Sequence, residues 1–132
     1  MDVETYYTCR RLTMKLTDAE WDVMCVLWDL QQCGLKEVTM ALDEKRKWSK
    51  NTVHTYLTRM ADKGLVAIDH SSSKPYSAAL SRSECEKNER ADLLHRIYEG
   101  NMSSLITAFI KDSKMKPEEV ERLKKLLDEM EE

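Results

Sequence analysis

A helix that is apolar nearly all round must be enclosed by other elements, and residues 16–30 encode such a helix. Thr17 is placed to cap it, Glu20 at the third helical position completes a capping box, and Leu16 can staple onto Trp21. Beyond that turn Trp21, Val23, Met24, Cys25, Val26, Leu27, Trp28 and Leu30 leave only Asp22 and Asp29 polar. A helix of this kind belongs at the centre of a core, or in a core plus a subunit contact. Its tryptophans read as packing residues.

What surrounds it follows along the chain. Gly34 ends that helix or caps the next, where Val38, Met40, Ala41 and Leu42 predict a short second helix to about Asp43. Ser49 is placed to cap a third helix that reaches Lys63 and stops at Gly64. On it Val53, Leu57 and Met60 recur at i, i+4 and i+7 and define a buried side. The opposite side carries Asn51, Thr55, Thr58 and Asp62, flanked by Thr52 and Arg59 on one edge and His54 on the other. Short polar side chains therefore occupy the place where a solvated helix usually carries Glu and Lys. Residues 65–68 and 76–80 favour strand, and the turn-rich link 69–75 predicts a two-stranded hairpin with Pro75 at an edge or outside the ladder.

Three short helices followed by a hairpin make a winged helix-turn-helix, so the expected fold class is mainly α with one small β-hairpin. With 132 residues the chain has room for one small domain or one domain with an appendage. From Ser83 the helical pattern resumes: Ser83 and Glu86 form a second capping box, and Ala91, Leu94, Ile97 and Tyr98 give a stripe that Gly100 terminates. Asn101 starts another helix with Leu105, Ile106, Phe109 and Ile110, and Pro117 opens the last. There Val120, Leu123, Leu127 and Met130 form a heptad-like seam. Such a tail cannot bury its stripes alone, so pairing with a second copy is expected. The expected division is a flexible extension at 1–13, a winged helix at 14–82 and a helical dimerisation domain at 83–132.

Charge is unevenly placed. The chain carries a net −3, but residues 1–82 hold 12 Lys and Arg against 11 Asp and Glu, whereas 83–132 hold 9 against 13. Within the first part, Lys45, Arg46, Lys47, Lys50 and Arg59 fall in a stretch, 45–59, without an acid. A local basic surface, not the net charge, is what a phosphate backbone feels. The major groove accepts one helix; short donors and acceptors near its start meet base edges while longer cations hold phosphates. Asn51 offers a bidentate amide, Thr52 and Thr55 a hydroxyl or methyl, and Lys50 and Arg59 the cations.

Other chemistries are poorly supplied. Cys9, Cys25, Cys33 and Cys85 never form CxxC or CxC, which argues against structural zinc or a disulfide framework and for reduced, mostly buried thiols. His54, His70 and His95 have no hydrolase-like spacing to a cysteine or carboxylate, and HExxH, GxGxxG and the P-loop are missing from the sequence. No enzyme activity, metal or cofactor is therefore expected. No run of about 20 apolar residues occurs, and acids stand at the N-terminus where a signal peptide is basic and then apolar. A cytoplasmic chain without membrane insertion is expected.

The residues Leu16-Thr17-Asp18-Ala19-Glu20-Trp21-Asp22-Val23-Met24 with Leu27-Trp28, the block Trp48-Ser49-Lys50-Asn51-Thr52-Val53-His54-Thr55-Tyr56-Leu57-Thr58-Arg59, Lys63-Gly64-Leu65, and Tyr98-Glu99-Gly100-Asn101-Met102-Ser103-Ser104-Leu105 together resemble the BlaI/MecI/CopY family of bacterial transcriptional repressors. The resemblance spans about 16–130. It implies a homodimer that binds an inverted-repeat operator, with Asn51, Thr52, His54 and Thr55 at the recognition-helix positions and Arg59 nearer the backbone. In the penicillinase branch it also implies a BlaR/MecR-type membrane sensor protease and cleavage in the dimer domain. The matching bond is Ala108–Phe109, with Ala where the family has Asn. The copper-binding CxC of another branch has no counterpart here. The wing lacks the basic, glycine-containing tip common in the family and offers Ser71, Ser72, Ser73 and Lys74.

The candidate DNA-contacting set is thus Lys47, Ser49, Lys50, Asn51, Thr52, His54, Thr55, Arg59 and Lys74. The candidate dimer set is Leu94, Ile97, Tyr98, Leu105, Ile106, Phe109, Val120, Leu123, Leu127 and Met130. Two other classes compete with this reading: a winged-helix module that binds a protein partner through the third helix, and a thiol- or ligand-responsive regulator using Cys25, Cys33 or Cys85.

Overall fold

The structure, a computed structural model, describes residues 15–130. The expected extension at 1–13, and Cys9 within it, lie outside the described residues. In chain order the elements are α1 (Asp18–Leu30), α2 (Leu35–Leu42), α3 (Lys50–Asp62), β1 (Val66–Ile68), β2 (Tyr76–Ala78), α4 (Arg82–Tyr98), α5 (Met102–Asp112) and α6 (Pro117–Glu129). The chain forms two compact units, Met1–Asp92 and Leu93–Glu132, so the change of unit falls inside α4.

The first unit is a winged helix built around α1. The Thr17 hydroxyl accepts the Glu20 N–H at 3.2 Å and a Glu20 carboxylate oxygen accepts the Thr17 N–H at 2.9 Å, so both halves of the capping box are made. Val23, Met24 and Leu27 are fully buried, joined by Val38 and Leu42 from α2, Val53, Leu57 and Met60 from α3, and Leu65, Val66 and Tyr76 from the hairpin. Each such side chain contributes about 1.5–3 kcal/mol by leaving water. Trp21 and Trp28 pack edge to face with centroids 5.5 Å apart, and the Trp28 indole donates to the Leu80 carbonyl at 2.9 Å. That bond ties the end of the hairpin to α1.

Helix α1 ends at Gln31, whose φ is 69°, and Gly34 caps α2 by donating its N–H to Glu37 Oε1 at 3.0 Å. Helix α3 closes with Leu65 N–H on Met60 O and Gly64 N–H on Ala61 O. This paired closure needs a left-handed residue after the helix, and Gly64 supplies it at φ 85°.

The hairpin is antiparallel, with Val66 opposite Ala78, Ala67 opposite Ser77 and Ile68 opposite Tyr76. Pro75 precedes β2, outside the ladder. On the other edge of β2 Cys33 and Tyr76 exchange two backbone bonds of 3.0 Å, adding a single-residue third strand. The period-two pattern gives no sign of this bridge, because one residue has no period.

One capping assignment is corrected. Ser81, not Ser83, starts α4: its hydroxyl accepts the Glu84 N–H at 3.1 Å, and Cys85 N–H bonds to Ser81 O at 3.1 Å. The S-x-x-E spacing occurs at both 81/84 and 83/86, and the earlier start places Cys85 in the core, fully buried.

The second unit holds the end of α4, then α5 and α6. Gly100 at φ 83° follows Glu99 at φ 50°, and Asn101 Oδ1 accepts the Ser104 N–H at 3.0 Å to open α5. Pro117 occupies the first turn of α6. Neither α5 nor α6 contains a buried residue. Among the described residues no helix is long and apolar enough to cross a membrane.

Candidate nucleic-acid interface

Helix α3 places the polar side chains. Ser49 accepts the Thr52 N–H at 3.3 Å, and their hydroxyls lie 3.2 Å apart. Val53, Leu57 and Met60 are fully buried, which turns Asn51, His54, Thr55, Thr58 and Arg59 outward, all exposed. Thr52 is half-buried. Thr55 Oγ1 donates to the Asn51 carbonyl at 3.0 Å, so its hydroxyl hydrogen is used and it offers a methyl group and acceptor lone pairs. Among the described residues the Asn51 side-chain amide has no partner in the protein. It is the uncommitted bidentate group on this face.

The basic stretch carries less free charge than its sequence implies. Arg46 Nε donates to Asp22 Oδ2 at 2.8 Å, Lys45 Nζ is 3.9 Å from Asp22 Oδ1, and Lys47 Nζ is 3.7 Å from Asp43. The acid that pairs Lys45 and Arg46 comes from α1, 24 positions before Arg46, where a window of 45–59 cannot see it. Lys50 and Arg59 are exposed and, among the described residues, have no ion-pair partner. Lys47 is an exposed pair member, held weakly enough to turn to a phosphate.

The wing is nearly neutral. Lys74 Nζ lies 4.0 Å from Glu37, a loose exposed pair. Asp69 Oδ1 accepts the Ser71 hydroxyl at 2.6 Å and the Ser71 N–H at 3.1 Å, which fixes the turn and holds the Asp69 carboxyl below the usual carboxylate range. Between α3 and the hairpin runs an open groove of about 690 Å³, lined by His54, Thr58, Asp62, His70 and Ser72 among others. Asp62 puts an acid on this side of α3.

The candidate dimer residues lie in the second unit. Ile97, Phe109, Leu127 and Met130 are 54%, 57%, 44% and 79% exposed, while Leu94, Tyr98, Leu105, Ile106, Val120 and Leu123 are half-buried. Met102, Ile110 and Leu126, outside that set, are also exposed. Val120, Leu123, Leu127 and Met130 follow a 3–4 spacing, and Leu126 falls beside that register instead of on it. Ala108 and Phe109 sit within α5.

Two of the three described thiols are sealed in the core. Cys33 and Cys85 are fully buried, and burial first, then neighbouring carboxylates, push both thiols up to about 11. Cys25 is half-buried. Among the described residues no set of three or more His, Cys, Asp or Glu is grouped to hold a metal.

These elements define the winged helix-turn-helix class. Residues 16–129 match the protein family described as Penicillinase repressor. The match covers most of the chain, and the chain belongs to this family of transcriptional repressors, which are not enzymes. It is similar to the penicillinase repressor of Bacillus licheniformis, 28% identical over 118 residues, covering 87% of this chain and 91% of that one. It is also similar to the methicillin resistance regulatory protein MecI of Mammaliicoccus sciuri, 24% identical over 119 residues, covering 88% and 95%. A solution structure of monomeric Bacillus licheniformis BlaI in complex with the blaP half-operator aligns with 55% of this chain and 89% of that one, at 28% identity and a TM-score of 0.47.

Proposed function

We propose that this chain represses transcription by binding an inverted-repeat DNA operator as a homodimer in the bacterial cytoplasm. Residues 14–82 act as the DNA-binding part and 83–132 as the part that joins two copies. The observation that carries this reading is the outward face of α3, where Asn51, His54, Thr55, Thr58 and Arg59 are all exposed above a fully buried Val53, Leu57 and Met60. In the groove, Asn51 reads adenine through its amide, Thr55 meets a thymine methyl, and His54 and Thr52 flank them. Ser49, Lys50 and Arg59 hold phosphates, with Lys47 and Lys74 exchanging carboxylates for backbone oxygens.

The exposed apolar side chains on α5 and α6, which a lone chain leaves in water, support two-fold pairing. Half-sites one turn apart, about 34 Å, or a multiple of that, follow from such a pair. Release by a sensor protease at Ala108–Phe109 requires α5 to open first, since the bond lies inside a helix. The relatives named for penicillinase and methicillin resistance support a repressor.

The test is enrichment from a pool of random-sequence duplexes. The chain selects a palindromic duplex and sediments as a dimer on it. Asn51→Ala costs about 1–3 kcal/mol on that duplex and little on random DNA. Failure to enrich any sequence, or equal loss on both DNAs, overturns the assignment of α3 as the base reader.

A further inference from the structure

Arg46, outside the set of DNA contacts drawn from the sequence, is built into a more defined setting than any of them. Its Nε donates to Asp22 Oδ2 at 2.8 Å, its guanidinium carbon lies 5.3 Å from the centre of the Trp48 ring, and its side chain is 30% exposed. Trp48 stacks on Tyr56 with centroids 4.3 Å apart and planes 14° from parallel. The loop is closed around it: Arg46 N–H bonds to Leu42 O at 2.8 Å, and Arg46 O accepts the Trp48 N–H at 2.9 Å. Tyr56 shares one edge of α3 with Thr52 and Arg59, by the helical repeat. The stack of Tyr56, Trp48 and Arg46 therefore builds out from the edge that carries Arg59.

A guanidinium has five N–H groups in a fixed plane, and the Asp22 bond uses the one on Nε. Among the described residues the two terminal amino groups make no hydrogen bond. A fork would commit them to the carboxylate; here the carboxylate takes the Nε edge, and Lys45 Nζ approaches its other oxygen at 3.9 Å, which leaves the amino groups available. The guanidinium carbon also sits over the Trp48 ring. What remains is a planar pair of donors on a side chain held by Asp22 and Trp48 before any ligand arrives, close in sequence to the exposed Lys47 and Lys50 and the start of α3. That geometry suits a phosphodiester oxygen pair, and fixing it in advance removes the entropy cost of ordering a free arginine.

We propose that Asp22, Arg46 and Trp48 form a preset clamp for one backbone phosphate at the start of α3, with Arg46 touching the phosphate and Asp22 acting as its positioning residue. This rests on the DNA-binding reading above. It differs from a surface cation in one respect of sign: Asp22 carries a negative charge toward DNA, yet the clamp needs it.

The probes are the duplex that the unaltered chain enriches from the random pool, a random duplex of the same length, and a set of the enriched duplexes each with a single methylphosphonate in place of one phosphate. Arg46→Gln is expected to lower the slope of log affinity against log salt by about one and to weaken both duplexes alike. At one methylphosphonate position the unaltered chain loses affinity while Arg46→Gln loses nothing further; Arg46→Lys regains part of that sensitivity. Asp22→Asn removes a negative charge but weakens binding several-fold, with an unfolding midpoint close to that of the parent. The proposal is overturned if Arg46→Gln, or Arg46→Lys should the first not fold, responds to every methylphosphonate as the parent does. It is equally overturned if Asp22→Asn binds both duplexes more tightly, as plain loss of a negative charge requires. A parent chain that binds no DNA would instead remove the underlying assignment.

Discussion

The two units of this chain solve opposite problems with the same kind of helix. In the first, α1, α2 and α3 each bury an apolar side against the others, and Val23, Met24, Leu27, Val53, Leu57 and Met60 are all at zero exposure. In the second, α5 and α6 bury nothing completely, and Met102, Phe109, Ile110, Leu126 and Met130 lie about half to four-fifths exposed. Amphipathic patterning is equally clear in both. Complete burial needs a third direction of enclosure, which the hairpin and the α1 centre supply to the first unit, whereas α5 and α6 contain no buried residue. On the homodimer reading proposed above, the first unit has a stability of its own, while that of the second is tied to a partner and hence to concentration.

The largest effect that sharpens this contrast comes from the core. Leu57→Ala is expected to cost about 2–5 kcal/mol. The loss appears as a lowered midpoint for the first unit that does not move with protein concentration; a midpoint that follows concentration would break the contrast. Next in size is Phe109→Asp, which places a charge where an apolar side chain is 57% exposed. It leaves the first unit's unfolding unchanged and weakens self-association by about 2 kcal/mol or more, read by sedimentation equilibrium. Destabilisation of the isolated chain by this change would show that Phe109 is needed within its own unit.

A smaller effect concerns pH. Glu20 is buried, which by itself disfavours its charged form, but the Lys63 ammonium at 2.6 Å and the Thr17 bonds outweigh burial and hold its carboxyl below the ordinary 4.5. Because Glu20 ionises more readily folded than unfolded, its contribution is complete above 4.5 and is lost as pH falls through the lower folded value. Glu20→Gln should therefore cost about 1–2 kcal/mol at neutral pH and less in acid, so that the two melting profiles converge. Profiles that stay parallel into acid would contradict this. The smallest expected change is Lys74→Ala, within about 0.5 kcal/mol in stability, since its pair with Glu37 is exposed and 4.0 Å long.

Much of this architecture is legible before any coordinates. The Thr17–Glu20 box, the Ser49 and Asn101 caps, the Gly64 stop and the Pro117 start all act within a few residues, so a short window contains their whole cause. The outward face of α3 is legible for the same reason, since Val53, Leu57 and Met60 fix what lies opposite. The choice between Ser81 and Ser83 was not, because two identical local signals competed and burial of Cys85 selected one. Nor was the state of the basic stretch. Lys45 and Arg46 look like free cations until α1 brings Asp22 beside them, and the same meeting gives Arg46 its preset direction.

The chain's own order of residues determined its helices, its hairpin, and which side of α3 stays polar, because hydrogen-bond closure and side-chain period operate over one or two turns. Which charges are spent, which thiols are sealed, and where a single residue such as Cys33 joins a sheet were decided only by the packed structure. Those outcomes depend on groups tens of positions apart arriving within a few ångströms, a distance that sequence separation does not encode.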